Sequence, residues 1–467
     1  MSIYESEFFW NEHKDYYRRM GYNLLGILND FKLEQKDLAE MLGVPVKKID
    51  SYIHGEKEMP HDFIRRVAET LDINVRDLYV LRDDCHDGVK VMRREDSQKT
   101  SRVKKRAVQS YYEYRDTVVS TVAQFRPEWI KQLCIVDDND PDNPVVQWNN
   151  GHFLHQFTYF VGSVNFYYKG ENGNKEVAVM NTGDSMYITP FVPHTFATRK
   201  NEHGEHGLIL ALTYGNKLAG ETQQELSALG PELAAHYALD FSSREKAIAS
   251  LIRFHREAAS LDYEELARRT KLPVSFFSQY ENGEVMPLKS NLELIASALN
   301  IDVRELLPPD FLEQKVIVQK YGFSHEWKYP SENPSYKLVE LAGTRHLPHS
   351  KSLEVNIIND NHETENLEFK VGLHQYGYNL GDEIVYLNWK ANGSCHGTPI
   401  RKDDSFYIKP FVPHNFRGKD GKLLLLRIGG RIAGEPQREL SLIGKENVNR
   451  AIGELTPWFN KEGRNKI

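Results

Sequence analysis

The sequence predicts an α+β protein made by tandem duplication, each unit all-α first and a β-barrel second. The repeats carry this reading. Leu33-Glu-Gln-Lys-Asp-Leu-Ala39 recurs as Leu261-Asp-Tyr-Glu-Glu-Leu-Ala267, and Ile73–Leu78 recurs at the same spacing as Ile301–Leu306. Further on, Tyr187-Ile-Thr-Pro-Phe-Val-Pro-His194 returns as Tyr407-Ile-Lys-Pro-Phe-Val-Pro-His414, and Leu218–Glu221 as Ile432–Glu435. Self-similarity over such a length marks a duplicated structural unit. The join falls near Gly230 to Ser243, which gives a helical domain at 1–88, a barrel at 89–235, a second helical domain at 236–312 and a second barrel at 313–467.

In residues 24 to 80 apolar positions recur at helical spacing, Gly43 supplies a turn after Met41-Leu42, and Leu71-Asp72-Ile73 leads into a fifth and final helix. The second copy follows suit, and both resemble the helix-turn-helix modules of the Cro/repressor class. DNA readers gather Lys and Arg to neutralise phosphates. Here Leu24–Val80 holds 8 basic against 11 acidic residues, and Leu261–Leu307 holds 5 against 8. The recognition position of copy two, Ser275–Gln279, has no Lys or Arg. These domains are therefore expected to serve structure or assembly, without DNA as a partner. The rival class, a transcription regulator, requires basic recognition helices.

Lys90–Arg106 carries eight basic residues against Glu95 and Asp96, and most of it reads as a solvated linker. Its end differs, because Arg106 stands shortly before Tyr111, Tyr112 and Tyr114. A cation entering the barrel with several phenols suits a small phosphorus oxyanion, which a guanidinium grips with two parallel hydrogen bonds.

The β halves read as cupin-type jelly rolls: alternating apolar strands from 151 to 215 are punctuated by Gly162, Gly170–Gly173, Asn181–Asp184 and Pro190. Within this rhythm, His152 and Gln156 are expected on one strand with both side chains on one face, and His194 follows a Gly-Asp turn and a short apolar strand. Two imidazoles plus one oxygen donor form the facial geometry of a mononuclear non-haem Fe(II) site. Copy two, aligned on Leu373-His374-Gln375, has Val371 opposite His152 and Glu368 opposite Asn149, while His414 matches His194. A tight metal site there is not expected; that half reads as scaffold, with His374 and His414 packed or on the surface.

Composition agrees with an ordinary globular protein: 467 residues, 40% hydrophobic, 27% charged and a net charge of -7. The start lacks a basic-then-apolar signal pattern and no apolar run approaches a membrane span, so a cytoplasmic location without membrane partners is expected. Cys85, Cys134 and Cys395 are far apart and suggest neither disulfides nor a thiolate metal site.

The helix-turn-helix plus cupin order, Asn149-x-x-His152-x-x-x-Gln156 and the His194 that ends Pro-Phe-Val-Pro-His resemble the phosphonate non-haem iron oxygenases. That family includes hydroxypropylphosphonic acid epoxidase, 2-hydroxyethylphosphonate dioxygenase and methylphosphonate synthase, and the duplication narrows the resemblance to the last two. It covers nearly the whole chain. It implies Fe(II) held by His152 and His194, a phosphonate bound by Arg106, Tyr114 and Asn149 beside His194, and Lys32 reaching the site from a helical domain; copy two has Ser260 in that place. Lys32 and Tyr114 are the implied catalytic groups. The epoxidase has Glu where this chain has Gln156, and the dioxygenase has Glu where it has Ile188. Gln156 is expected to ligate iron as a neutral oxygen donor, the pattern of methylphosphonate synthase; the alternative is a bystander Gln156, with iron held by the two histidines and water. The implied reaction is O2-dependent cleavage of the C–C bond of 2-hydroxyethylphosphonate to methylphosphonate and CO2 or bicarbonate, without 2-oxoglutarate; hydroxymethylphosphonate plus formate is the alternative. Expected partners are the phosphonate, O2 and further copies of this chain.

Overall fold

The computed structural model describes residues 7–123, 125–215, 218–309, 314–359 and 366–458. In the first helical group α1 (Glu7–Phe31), α2 (Gln35–Leu42), α3 (Val46–Ile53) and α4 (His61–Leu71) close on a core that includes Leu24, Leu38, Ile49, Ile64 and Val67. Gly43, at φ 64°, caps α2 and turns the chain into α3. The expected fifth helix is a single 3-10 turn, Val75–Leu78. Asp72 ends α4 in the left-handed conformation, and Tyr79 is already extended, so the chain between has length for one tight turn only. Helices α5 (Arg94–Lys99) and α6 (Glu221–Ala234) precede the second group. That group is α7 (Arg244–Ala258), α8 (Tyr263–Thr270), α9 (Val274–Glu281) and α10 (Lys289–Leu299), again followed by a 3-10 turn, Val303–Leu306. Helices α11 (Glu435–Ile443) and α12 (Val448–Ile452) come last. No helix among the described residues is long and apolar enough to cross a membrane.

Strands of the first half are β1 (Val89–Met92), β2 (Arg102–Arg106), β3 (Gln109–Asp116), β4 (Arg126–Gln132), β5 (Ile135–Val136), β6 (His155–Val161), β7 (Val164–Lys169), β8 (Lys175–Met180), β9 (Ser185–Ile188), β10 (His194–Arg199) and β11 (Leu208–Tyr214). The second half has β12 (Val316–Gln319), β13 (Glu326–Tyr329), β14 (Tyr336–Glu340), β15 (Ser350–Ile357), β16 (His374–Asn379), β17 (Val385–Ala391), β18 (Ser394–Ile400), β19 (Ser405–Ile408), β20 (His414–Arg417) and β21 (Lys422–Ile428). In each half a seven-stranded sheet faces a smaller one across an apolar core: β12-β9-β6-β11-β4-β3-β2 faces β5-β10-β7-β8, and β1-β19-β16-β21-β15-β14-β13 faces β18-β17-β20. This corrects the expected barrel. Among the described residues no hydrogen-bonded ladder joins the large sheet to the small one, so each half is an open sandwich.

The two large sheets pack back to back. Phe157, Tyr159, Leu210 and Leu212 of one meet Tyr376, Tyr378, Leu424 and Leu426 of the other. Strand alternation therefore buries both faces of β6, Phe157 and Tyr159 toward the other half, Thr158 and Phe160 away from it.

The halves also exchange strands. β1 pairs with β19 of the second half, and β12 pairs with β9 of the first. Lys90–Arg106 is thus no solvated linker: it opens with the edge strand of the opposite sheet, because Val89 and Val91 pack into that sandwich's core. One buried aspartate pins each exchange. Asp404 accepts from Arg93 Nη1 at 2.8 Å and from the Arg94 amide at 2.9 Å, and Asp184 accepts from Lys320 Nζ at 2.8 Å and from the Tyr321 amide at 2.9 Å. Boundaries at 88/89 and 312/313 would put each exchanged strand in the domain it does not pair with, and residues 312 and 313 lie outside the described residues.

Asp404→Ala removes three hydrogen bonds to a buried carboxylate, from Arg93, the Arg94 amide and the Arg401 amide, and leaves Arg93 without its counter-ion. We expect a loss on the order of 3 kcal/mol in chemical denaturation. A wild-type midpoint would show that the pin contributes nothing.

Candidate metal centre

His152 precedes β6 and does not lie on it, so its direction comes from the loop and not from strand alternation. Gly151 makes that loop possible: its φ is 75°, and a Cβ there would meet the Phe191 backbone at 2.6 Å. The curl lets the His152 carbonyl accept from the Phe191 amide at 2.8 Å. His152 Nδ1 then lies 2.8 Å from the Leu154 carbonyl, and Nε2 lies 2.9 Å from Gln156 Oε1. His194, at the start of β10, is held the same way, with Nδ1 2.8 Å from the Val192 carbonyl. The two imidazoles stand edge to face with centroids 5.1 Å apart.

A carbonyl can only accept, so each Nδ1 carries the proton and each Nε2 presents a lone pair. Burial lowers the pKa of His194 to about 4, which keeps its ring neutral. Gln156 is oriented too: its Nε2 donates to Thr158 Oγ1 at 2.8 Å, which turns Oε1 toward His152. With a neutral ring, His152 Nε2 and Gln156 Oε1, 2.9 Å apart, stand as adjacent donors for one cation. The donor set therefore fits a metal ion. Among the described residues no three His, Cys, Asp or Glu side chains gather at metal-binding distance; beside His152 stands the Gln156 carboxamide oxygen.

The predicted anion-binding groups are distributed as follows. Asn149 Oδ1 accepts from the His194 and Gly151 amides, both at 2.9 Å, and its Nδ2 lies 3.2 Å from His194 Nε2. Arg106 ends β2, lies over the rings of Tyr111 and Tyr112 at 5.0 and 4.8 Å, and donates to Thr195 Oγ1 at 3.0 Å and the Gln147 carbonyl at 2.5 Å. Among the described residues it pairs with no carboxylate. Tyr114 stacks edge to face on Tyr112 at 5.8 Å, and burial pushes its hydroxyl pKa up, so it stays a donor. Lys32 is not brought to this group: its Nζ bonds the Asp30 carbonyl at 3.1 Å and lies 4.5 Å from the centre of the Trp458 ring.

The second half corrects one alignment. The Phe411 amide donates to the Val371 carbonyl at 2.7 Å, so Val371 does stand in the place of His152. Opposite Asn149, however, stands Phe369 and not Glu368. The Phe369 amide donates to the His414 carbonyl at 3.0 Å, as Asn149 does to His194 at 3.3 Å. Copy one has one more residue there, in the Gly151 curl. His374 and His414 are both buried.

Three inner-face residues escaped the sequence reading. Thr158, two after Gln156, was findable from alternation alone. Thr195 depended on a contact across the sandwich. Glu128 is in register with Ala211, itself opposite Thr158, and points to the same inner face; burial raises its pKa while Arg102, 3.7 Å away, and His152 oppose the rise.

A helix-turn-helix profile matches residues 252–306. A methylphosphonate synthase from Nitrosopumilus maritimus is 50% identical over 450 residues, 96% of this chain and 97% of that protein. The chain belongs to the phosphonate iron oxygenase family. A Streptomyces albus family member, a 2-hydroxyethylphosphonate dioxygenase with 2-hydroxyethylphosphonate and Fe(II) bound, superposes with a TM-score of 0.87 at 34% identity, covering 95% of this chain and 99% of that one. A variant of another family dioxygenase, at 18% identity and a TM-score of 0.75, covers 92% and 99% and shares the fold.

Thr158→Val keeps the volume of Thr158 and removes the acceptor that orients the Gln156 amide. Fe(II) affinity measured by equilibrium dialysis should fall about 10- to 100-fold. Unchanged affinity would remove Thr158 from the site.

Proposed function

We propose that the first half binds Fe(II) through His152, Gln156 and His194 and converts 2-hydroxyethylphosphonate and O2 to methylphosphonate, CO2 and water. The observation that carries it is a neutral donor set, two imidazoles and an amide oxygen oriented by Thr158, with Ile188 at the other position where the family can place a carboxylate. The methylphosphonate synthase relative supports the same product.

Bound Fe(II) supplies O2 activation, with the substrate as the source of electrons. The chain's own residues do the rest. With no anionic side chain among the metal donors, the phosphonate dianion is the charge that balances the metal, so substrate and metal favour each other's binding. Arg106, fixed on two tyrosine rings and by Thr195, offers its remaining N–H groups to phosphonate oxygens. Tyr114 donates its hydroxyl, and Asn149 places an amide N–H beside the metal face of His194. Once the C–C bond breaks, the carbon on phosphorus must gain a hydrogen atom before it can collect oxygen, and a phosphonate held rigidly at one end restricts how far that carbon can move. Lys32 enters this reading through the family resemblance alone, acting from its own chain or a neighbouring copy.

We further read each half as a helix-turn-helix domain followed by a cupin-type sandwich, with limits in sequence near 1–88, 89–235, 236–312 and 313–467 and with β1 and β12 each completing the sandwich of the other half. The acidic balance of both helical groups favours assembly over DNA binding.

Phosphorus NMR of an aerobic reaction should show methylphosphonate as the dominant product; hydroxymethylphosphonate would make the chain a 2-hydroxyethylphosphonate dioxygenase with the same iron and substrate. Iron titration should give about one Fe(II) per chain, lost in His152→Ala and kept in His414→Ala. Arg106→Ala should raise KM on the order of 10- to 100-fold at wild-type iron content, from the loss of a charge-assisted pair. Lys32→Ala with wild-type kinetics would take the helical domain out of the reaction.

A further inference from the structure

The second half keeps most of a metal site. His414 Nδ1 lies 2.8 Å from the Val412 carbonyl, as His194 does from Val192, so its Nε2 also presents a lone pair to the interior. Gln375 sits on β16 as Gln156 sits on β6, and its Nε2 is 3.4 Å from His414 Nε2. Both residues are fully buried. Two residues differ. Val371 replaces the first histidine, and Arg427 occupies the register position of Thr213: Thr213 pairs with Gln156 across β11 and β6, and Arg427 pairs with Gln375 across β21 and β16.

Arg427 does not turn away to solvent. Its Nε donates to Gln375 Oε1 at 3.0 Å, and its guanidinium lies 5.3 Å from the centre of the Phe369 ring, which stacks on His414 at 5.5 Å. Its Nη2 is buried without a partner, and among the described residues it makes no ion pair. In the first half the equivalent amide oxygen, of Gln156, stands beside a histidine Nε2 as one of the donors read there as holding a metal ion; here the oxygen of Gln375 faces a cation that the chain provides.

We propose that the second half is a latent metal site in which the Arg427 guanidinium takes the place of the metal ion. The arginine satisfies the Gln375 oxygen with a fixed positive charge and repels any second cation. Loss of the first histidine is then only half of the reason this sandwich takes no metal. The inference rests on reading His152, Gln156 and His194 as metal ligands.

The test is Co(II) titration of the full chain, followed by visible absorption and by metal analysis after gel filtration. Wild type and Val371→His should each bind about one equivalent, and Val371→His with Arg427→Thr about two. Adding His152→Ala to that double variant should remove one equivalent and leave the other. Val371→His with Arg427→Lys, which keeps a cation, should stay at about one. A second equivalent in Val371→His alone would overturn the proposal, since the arginine would then block nothing. So would one equivalent only in a double variant with native circular dichroism. Should the double variant unfold, Val371→His with Arg427→Met, which keeps the side-chain length and removes the charge, takes its place with the same expectation of about two equivalents, and one equivalent there overturns the proposal. Failure of wild type to bind any Co(II) would instead sink the first-half reading.

Discussion

A pair of exchanged strands, each fastened by one buried aspartate, is the constraint on which the rest of this molecule depends. β12 lies against β9, and β9 lies against β6, the strand that carries Gln156. The candidate metal strand lies between β9 and β11 of its own half, and the other half covers the edge of β9 beside it. Asp184 and Asp404 do the fastening at equivalent turns, each accepting from a backbone amide and a cation of the incoming segment while also accepting from its own half, the Asn181 and Arg401 amides. A buried carboxylate with this many donors is satisfied in one arrangement only, and that gives the exchange its register.

The site built on this frame has an unusual charge balance. Histidines fixed by carbonyls and an amide fixed by a threonine bring no negative charge to a divalent ion. A guanidinium without a carboxylate partner waits in the same sandwich. The opposite half shows the other solution: Arg417, beside Tyr336, pairs with Glu368 at 2.9 Å, both deeply buried. The second sandwich pairs the Arg417 guanidinium with a carboxylate of its own, whereas in the first Arg106 meets none among the described residues.

Much of this was legible in the sequence. The duplication and the helical groups follow from local pattern, because period and turns are properties of neighbouring residues; His152, Gln156 and His194 do come together, but His152 is aimed by the Gly151 loop and not by alternation along β6. What failed was non-local. Val89–Met92 looks like part of a basic linker because its partner strand stands at Ser405–Ile408. Glu368 was matched to Asn149 because an ungapped alignment cannot see the extra residue in the Gly151 curl. Arg427 carries no signal at all in a chain scan; only register across β16 and β21 aims it at Gln375. Lys32, named from resemblance, rests on Trp458 in this chain, and no local pattern could have put it there.

The exchange also orders the birth of the protein. A ribosome that has finished Tyr214 has made every strand of the first sandwich except its edge, and β9 presents an open row of amides and carbonyls until Val316–Gln319 emerge. Throughout that interval β1 is likewise an orphan, since β19 comes later still. Two nascent chains side by side could satisfy each other's edges, which is how a single-unit ancestor would have dimerised. Joining the units end to end made the partner strand part of the same molecule, raising its local concentration and turning an encounter between chains into a step within one.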